Sequence, residues 1–331
     1  MAARQSAPVI GVRCAGSDDA HSKDGGLFGK ERWQLSIGLR KQRSHRHFVG
    51  TEEQTQREEQ GTEVVNNIYL HDVALTYNFN RRFNLTAAVP VLIATRRRGT
   101  SPQIFHSFGF GDLVVVGRTW LFKGPSESPR NISFGIGIKF PTGKPDVTDT
   151  VPGPSLTGRT VTQVVDQSIQ LGDGGWGIPL DIQGYKRFGK TTVYGSAAYL
   201  INPQDTNGVP TGRNRPSEAI MSIADQYLAR VGIARPVPKT RQWAYTIGWR
   251  IEGVPVRDLI GKSNGFRRPG YGMAIEPGVQ YFRYKDTWSV TVPIAAGRNR
   301  KRSVSDILVG SPGGDAAFAD YMILFGYTRR F

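Results

Sequence analysis

The last stretch of the chain, Asp320–Phe331 (DYMILFGYTRRF), alternates to its final residue. Tyr321, Ile323, Phe325, Tyr327 and Phe331 share one parity, broken only by Arg329. Met322, Leu324, Gly326, Thr328 and Arg330 share the other. Side chains of a strand alternate with a period of two, so one face of this strand is aromatic and aliphatic to the terminus. Termini of soluble domains fray, and an apolar end is poorly placed there. A closed transmembrane barrel has the opposite need, because its last strand pairs with its first and faces lipid.

The same alternation recurs along the chain. It predicts strands over Trp33–Arg40, Ile68–Phe79, Phe83–Ala94, Phe110–Phe122, Asn131–Phe140, Ile178–Phe188, Thr191–Ile201, Ala224–Arg235, Arg241–Glu252, Gly272–Arg283 and Thr287–Ala296, before the closing stretch. That makes about twelve strands. The connections alternate too: long after the first, third, fifth, seventh, ninth and eleventh strands, short after the others. An up-and-down antiparallel barrel in an outer membrane has this rhythm, with short turns on one side and long loops on the other. A Greek-key sandwich has no reason to keep it. Pro90 within the third strand removes a ladder donor and predicts a bulge. Residues 41–67 and 95–109 read as long loops. The longest, at 141–177, is long enough to fold into the lumen and narrow it, or else to stand outside as a solvated loop.

Composition fits a barrel apolar on its outer face only. Hydrophobic residues are 38%, aromatics 10%, glycines 40, and mean hydropathy is −0.35. No run approaches ~18 apolar residues, which excludes a helical span. The formal charge is +16. Such an excess suits nucleic acid, but the basic residues are dispersed or in loops and no zinc, basic-helix or RNA-sheet motif accompanies them. No nucleic-acid partner is expected. Arg96–Arg98, Arg213, Arg215, Arg267, Arg268, Arg298, Arg300, Lys301 and Arg302 are assigned to the long-loop side, where lipopolysaccharide phosphates or anionic solutes would meet them. The single Cys14 excludes an internal disulfide. Residues 1–31 read as a flexible tail or leader remnant without a continuous apolar run, and 32–331 as one barrel domain.

If the apolar parity faces lipid, the other lines the lumen. The lining candidates are Arg40, Asp72, Asp112, Arg118, Lys139, Asp181, Arg187, Arg230, Arg250, Glu252 and Glu276. On the lipid face an Arg or Lys would cost about 2–4 kcal/mol at the midplane. Inside, these charges either filter solutes or tie the barrel together. Tyr327 and Phe331 mark the closing strand that assembly machinery would read. Arg329 is expected to reach the headgroups from the rim.

Catalytic motifs are missing. GIKFPTGKP has Pro145 where a phosphate loop needs Ser or Thr, and no nucleophile elbow occurs. His45 and His47 would need further ligands to hold a metal. No enzyme activity, cofactor or metal is expected.

FGFGDLVVVGRTWLF followed by ISFGIGIKFPTGKPD resembles the outer-membrane barrel proteins of the MetA-pathway of phenol degradation type. The resemblance rests on Gly111–Asp112–Leu113, on Pro141–Thr142–Gly143 after a Gly-alternating strand, and on Leu171–Gly172–Asp173–Gly174. By motif it covers about residues 105–200. It implies an outer-membrane channel for small solutes, aromatic or hydrophobic ones among them, and supplies no catalytic residues. The alternatives are a barrel that does not transport, acting as a structural protein, receptor or adhesin, and a soluble all-β binding protein with its apolar parity inside.

Overall fold

The computed structural model describes residues 32–122, 128–153, 158–240 and 242–331. The expected tail at 1–31 lies outside them. Twelve antiparallel strands close into a barrel. They are β1 (Trp33–Val49), β2 (Val64–Asn78), β3 (Phe83–Arg98), β4 (Ile104–Phe110 and Leu113–Trp120), β5 (Arg130–Phe140), β6 (Ile178–Phe188), β7 (Thr191–Ile201), β8 (Gln226–Pro236), β9 (Trp243–Val254), β10 (Gly270–Arg283), β11 (Asp286–Thr291 and Ile294–Arg300) and β12 (Ala316–Arg330). Each pairs with the next, and β12 pairs with β1 from Gln34↔Arg330 through Phe48↔Ala316. Every edge is thereby removed, as a bilayer requires.

The two faces separate as the alternation predicts. Ile136 is 63% exposed and Ile247 48%, whereas Ser133 and Glu276, on the other parity of β5 and β10, are 0% and 3% exposed. A soluble protein would bury the first pair. Lipid on the outside reverses the rule, because hydrocarbon accepts apolar groups and backbone bonds close within the sheet. Outward aromatics gather at the short-turn rim. Trp33, Tyr77, Phe79 and Phe83 form one chain of ring contacts, and Trp243, Tyr281, Trp288 and Tyr327 another, with centroids 4.7–5.5 Å apart. Amphipathic rings favour such an interface.

Two expected loops are strand instead. Residues 41–49 continue β1, and 95–98 and 104–110 extend the β3–β4 hairpin, leaving only 99–103 as its loop. The bulge expected at Pro90 falls on the partner strand. Pro90 has no N–H to give, and β4 breaks opposite it at Gly111–Asp112, where Gly111 N–H donates to the Pro90 carbonyl. β11 breaks likewise at Pro293. Arg329 meets Asp286 at 3.8 Å, the same carboxylate that accepts from the Tyr327 hydroxyl.

Candidate functional site: the lumen and its inward loop

The break in β4 gathers three glycine-rich motifs far apart in sequence. Thr142 Oγ1 donates to the Gly111 carbonyl at 3.0 Å and accepts from Leu113 N–H at 2.8 Å. Asp112 accepts from Gly143 N–H at 2.9 Å and from Asp173 N–H at 3.3 Å. Lys139, on the inner face of β5, lies 2.5 Å from Asp173 and 3.8 Å from Asp112. A Cβ at Gly172 would collide with the Gly143 carbonyl, so that close approach requires glycine. One ammonium between two carboxylates, largely out of water, holds the 141–177 loop to the wall.

From this latch the loop runs inside the barrel. Val165 and Ile169 are buried against Ile68, Leu70, Leu92 and Ala94, which all face inward from β2 and β3. Phe105 and Leu171 pack on the same cluster. Of the two readings of 141–177, the structure shows inward folding for 165–173. The hairpin of Thr148–Pro152 and Thr160–Val164 stays at the rim, where Asp149 accepts from His106 N–H.

Most of the lining candidates form ion pairs. Arg40 meets Glu252 at 2.7 Å; Glu252 also meets Arg250 at 2.6 Å; Arg250 and Arg230 each meet Glu276 at 3.6 Å. β1 and β9 are not neighbours, so the Arg40–Glu252 pair spans the lumen. Arg118 on β4 pairs with Asp181 on β6 at 2.9 Å, reaching over β5. Gly135 makes room, because a Cβ there would strike the Asp181 carboxylate. Asp72 faces inward opposite Gly38 and Pro90. Arg187 lies apart from these pairs, near the short-turn end of β6. Near that end Tyr185, Tyr194 and Phe282 pack inside against Ala234 and Ala244. Phe331 is 52% exposed at the rim, where its backbone exchanges hydrogen bonds with Trp33.

Two cavities adjoin the latch. The lower, about 170 Å³, is walled by Leu70, Leu92, Val116 and Leu171 together with Arg40, Arg118 and Arg230. The upper, about 740 Å³, opens among the long loops. Asp173 and Gln226 line both, so the latch stands between them. Several arginines assigned to outer loops turn inward: Arg267 is buried on Asp258 at 2.6 Å, Arg298 meets Asp320 at 2.5 Å, and Arg268 meets Asp166 at 2.7 Å. Arg97, Lys301 and Arg302 remain exposed. His47 accepts from Val64 N–H and faces Asp315 at 2.9 Å. Among the described residues no group of three or more His, Cys, Asp or Glu could hold a metal.

Sequence reasoning missed Asp166, Asp173 and Gln226. The length of 141–177 and its Leu-Gly-x-Gly run were the only signs of the first two. Nothing marked Gln226.

No protein-family model and no curated sequence matches the chain. Solved structures do. An outer membrane channel from Pseudomonas putida F1 superposes with TM-score 0.60 at 12% identity, covering 91% of this chain and 96% of that one. The translocator domain of the autotransporter NalP from Neisseria meningitidis gives 0.45 at 13%, covering 96% and 92%. The toluene transporter TbuX of Ralstonia pickettii gives 0.44 at 10%, covering 91% and 90%. At these identities the first likeness is one of fold, and the other two add no weight to it.

Proposed function

We propose that the chain is a channel of the bacterial outer membrane for passive passage of small solutes. The observation that carries this reading is the pair of adjoining cavities inside a closed, lipid-facing barrel. A side-chain-filled barrel of eight strands leaves little such space, and one of sixteen or more leaves a wide pore; twelve suits a narrow one. A solute enters among the long loops, passes Asp173 and Gln226, and leaves through the lower cavity toward the short turns. Width is set by the inward loop and by the charge pairs. The apolar side chains in the lower wall extend the range to hydrophobic and aromatic solutes. The mechanism is diffusion, with no catalytic step and no cofactor.

Swelling of liposomes carrying the folded protein tests this. Small neutral solutes should enter far faster than a disaccharide. Rates equal to protein-free liposomes for every solute would favour a barrel that does not transport.

At the rims, Arg97, Lys301 and Arg302 are proposed contacts for lipopolysaccharide phosphates. Tyr327 and Phe331 are proposed marks for the assembly machinery. Deleting Phe331 should lower the yield of assembled barrel in cells while leaving the conductance of assembled molecules unchanged. Normal yield would remove that role.

A further inference from the structure

The upper cavity has an unusual charge balance. Six arginines and two aspartates line it, and both aspartates are committed elsewhere: Asp173 to Lys139, Asp315 to His47 and Arg57. Of the arginines, Arg267 is satisfied by Asp258. Arg96 and Arg268 share the single carboxylate of Asp166, at 3.3 and 2.7 Å, which lies behind them and does not line the cavity. Arg213 stands 3.8 Å over the ring of Phe266, with Arg268 4.7 Å from the same ring, and its nearest carboxylate, Glu218, is 3.6 Å away. Arg98 has no ion-pair partner among the described residues. Guanidiniums this crowded repel one another, and a ring between two of them offsets only part of that. Burial, then the charge of Arg268, moves the Arg213 guanidinium below its ordinary range.

A second observation lies at the floor. Gln226 is 7% exposed and lines both cavities, and its side-chain amide meets no partner among the described residues, with Oε1 shielded from water. The buried orphan is the oxygen, an acceptor that a carboxylate cannot satisfy; what an anion would meet is the other end of the amide. Its N–H₂ group can donate to an anion's oxygen. Below it the wall turns apolar at Leu70, Leu92, Val116 and Leu171.

We propose that this cavity is a binding site for small organic carboxylates, held at the guanidiniums of Arg96, Arg213 and Arg268 and at the Gln226 amide, with the apolar body directed to the lower cavity. The cavity volume falls within the range of small-molecule sites. The planar guanidinium matches a carboxylate fork. A bare phosphate would use the same cations and leave the apolar wall unused. The inference rests on the channel reading for its purpose, but binding can be measured without transport.

The test is calorimetric titration of the folded barrel in neutral detergent at low salt with benzoate, benzamide, benzamidine and inorganic phosphate. The first three have nearly one shape and differ in charge. Benzoate should bind saturably, at least tenfold more tightly than the other three. Arg213→Gln, and separately Gln226→Leu, should each weaken it about tenfold, with heat-modifiable gel mobility reporting that the barrels remain folded. The proposal is overturned by no benzoate binding, by benzamide, benzamidine or phosphate binding within tenfold of it or more tightly, or by unchanged affinity in both folded variants. Benzoate binding by a protein without conductance would fail the channel reading alone. Conductance without benzoate binding would fail this inference alone.

Discussion

The two halves of the lumen use the same residue for different ends. In the lower half, Arg40, Arg118 and Arg250 are each matched by a carboxylate across the wall or across the lumen. In the upper half, arginines outnumber the carboxylates that line the cavity. A matched buried pair is chiefly a tie, since its attraction offsets its own desolvation and leaves little field for a solute. An under-matched cluster, in which Arg96 and Arg268 share one carboxylate, keeps a net positive field that a concave, low-dielectric mouth projects outward, concentrating anions. The contrast teaches that net charge alone says little about this chain. Where each arginine finds its partner says more.

Breaking the lower half should have the largest effect. Glu252→Gln leaves Arg40 and Arg250 without their shared carboxylate, and truncating one member of a buried pair typically costs about 3–5 kcal/mol. Urea titration of the heat-modifiable form should show that loss; an unchanged midpoint would mean that the network is no tie. Next is the latch between the halves. Asp173→Asn removes the close partner of Lys139, should free 165–173 from the wall and should raise conductance several-fold in planar bilayers. Unchanged conductance would mean that the loop does not narrow the path.

In the upper half, Arg98→Gln with Arg213→Gln should change stability by no more than about 0.5 kcal/mol, as surface changes do. The same pair should halve the preference for chloride over potassium in reversal potentials. A large loss of stability would make the two halves alike. The smallest effect concerns pH. The Asp166 carboxyl stays well below its usual range in spite of burial, because Arg268 and Arg96 face it. Its folded pKa is depressed, so its tie to the loops is fully present above the ordinary aspartate value of about 4 and is lost only as pH falls through the lower folded value. Protease resistance of the inward loop should therefore be the same at pH 7 and pH 5; loss of resistance at pH 5 would assign the tie to another group.

The barrel was legible because lipid writes a period of two into each crossing. Ile178–Phe188 and Thr191–Ile201 were read to the residue. The period fades where the two faces of a strand are alike, both polar along Lys41–His47 and both bearing aromatics along Ile104–Phe110. Lys41–Val49 and Ile104–Phe110 lie beyond the regular alternation, so pairing continued where the pattern did not. The inward loop has no period at all. Ile169 and Leu171 are packed by what they meet, and only the length of the connection hinted at it. The ion pairs could be read as charges on the inner parity, but not as partners, since Arg40 and Glu252 meet only when the barrel closes. Loop arginines showed their number and not their direction. Arg267 and Arg97 look alike in sequence, and one is buried while the other is exposed.

Single-channel recording of the purified, refolded protein in planar bilayers tests the central claim most directly. The account predicts discrete current steps of small, uniform size in potassium chloride, with a reversal potential displaced toward chloride under a salt gradient. Heat-modified protein that inserts without any steps, or steps of wide-pore size that Asp173→Asn does not change, would contradict it.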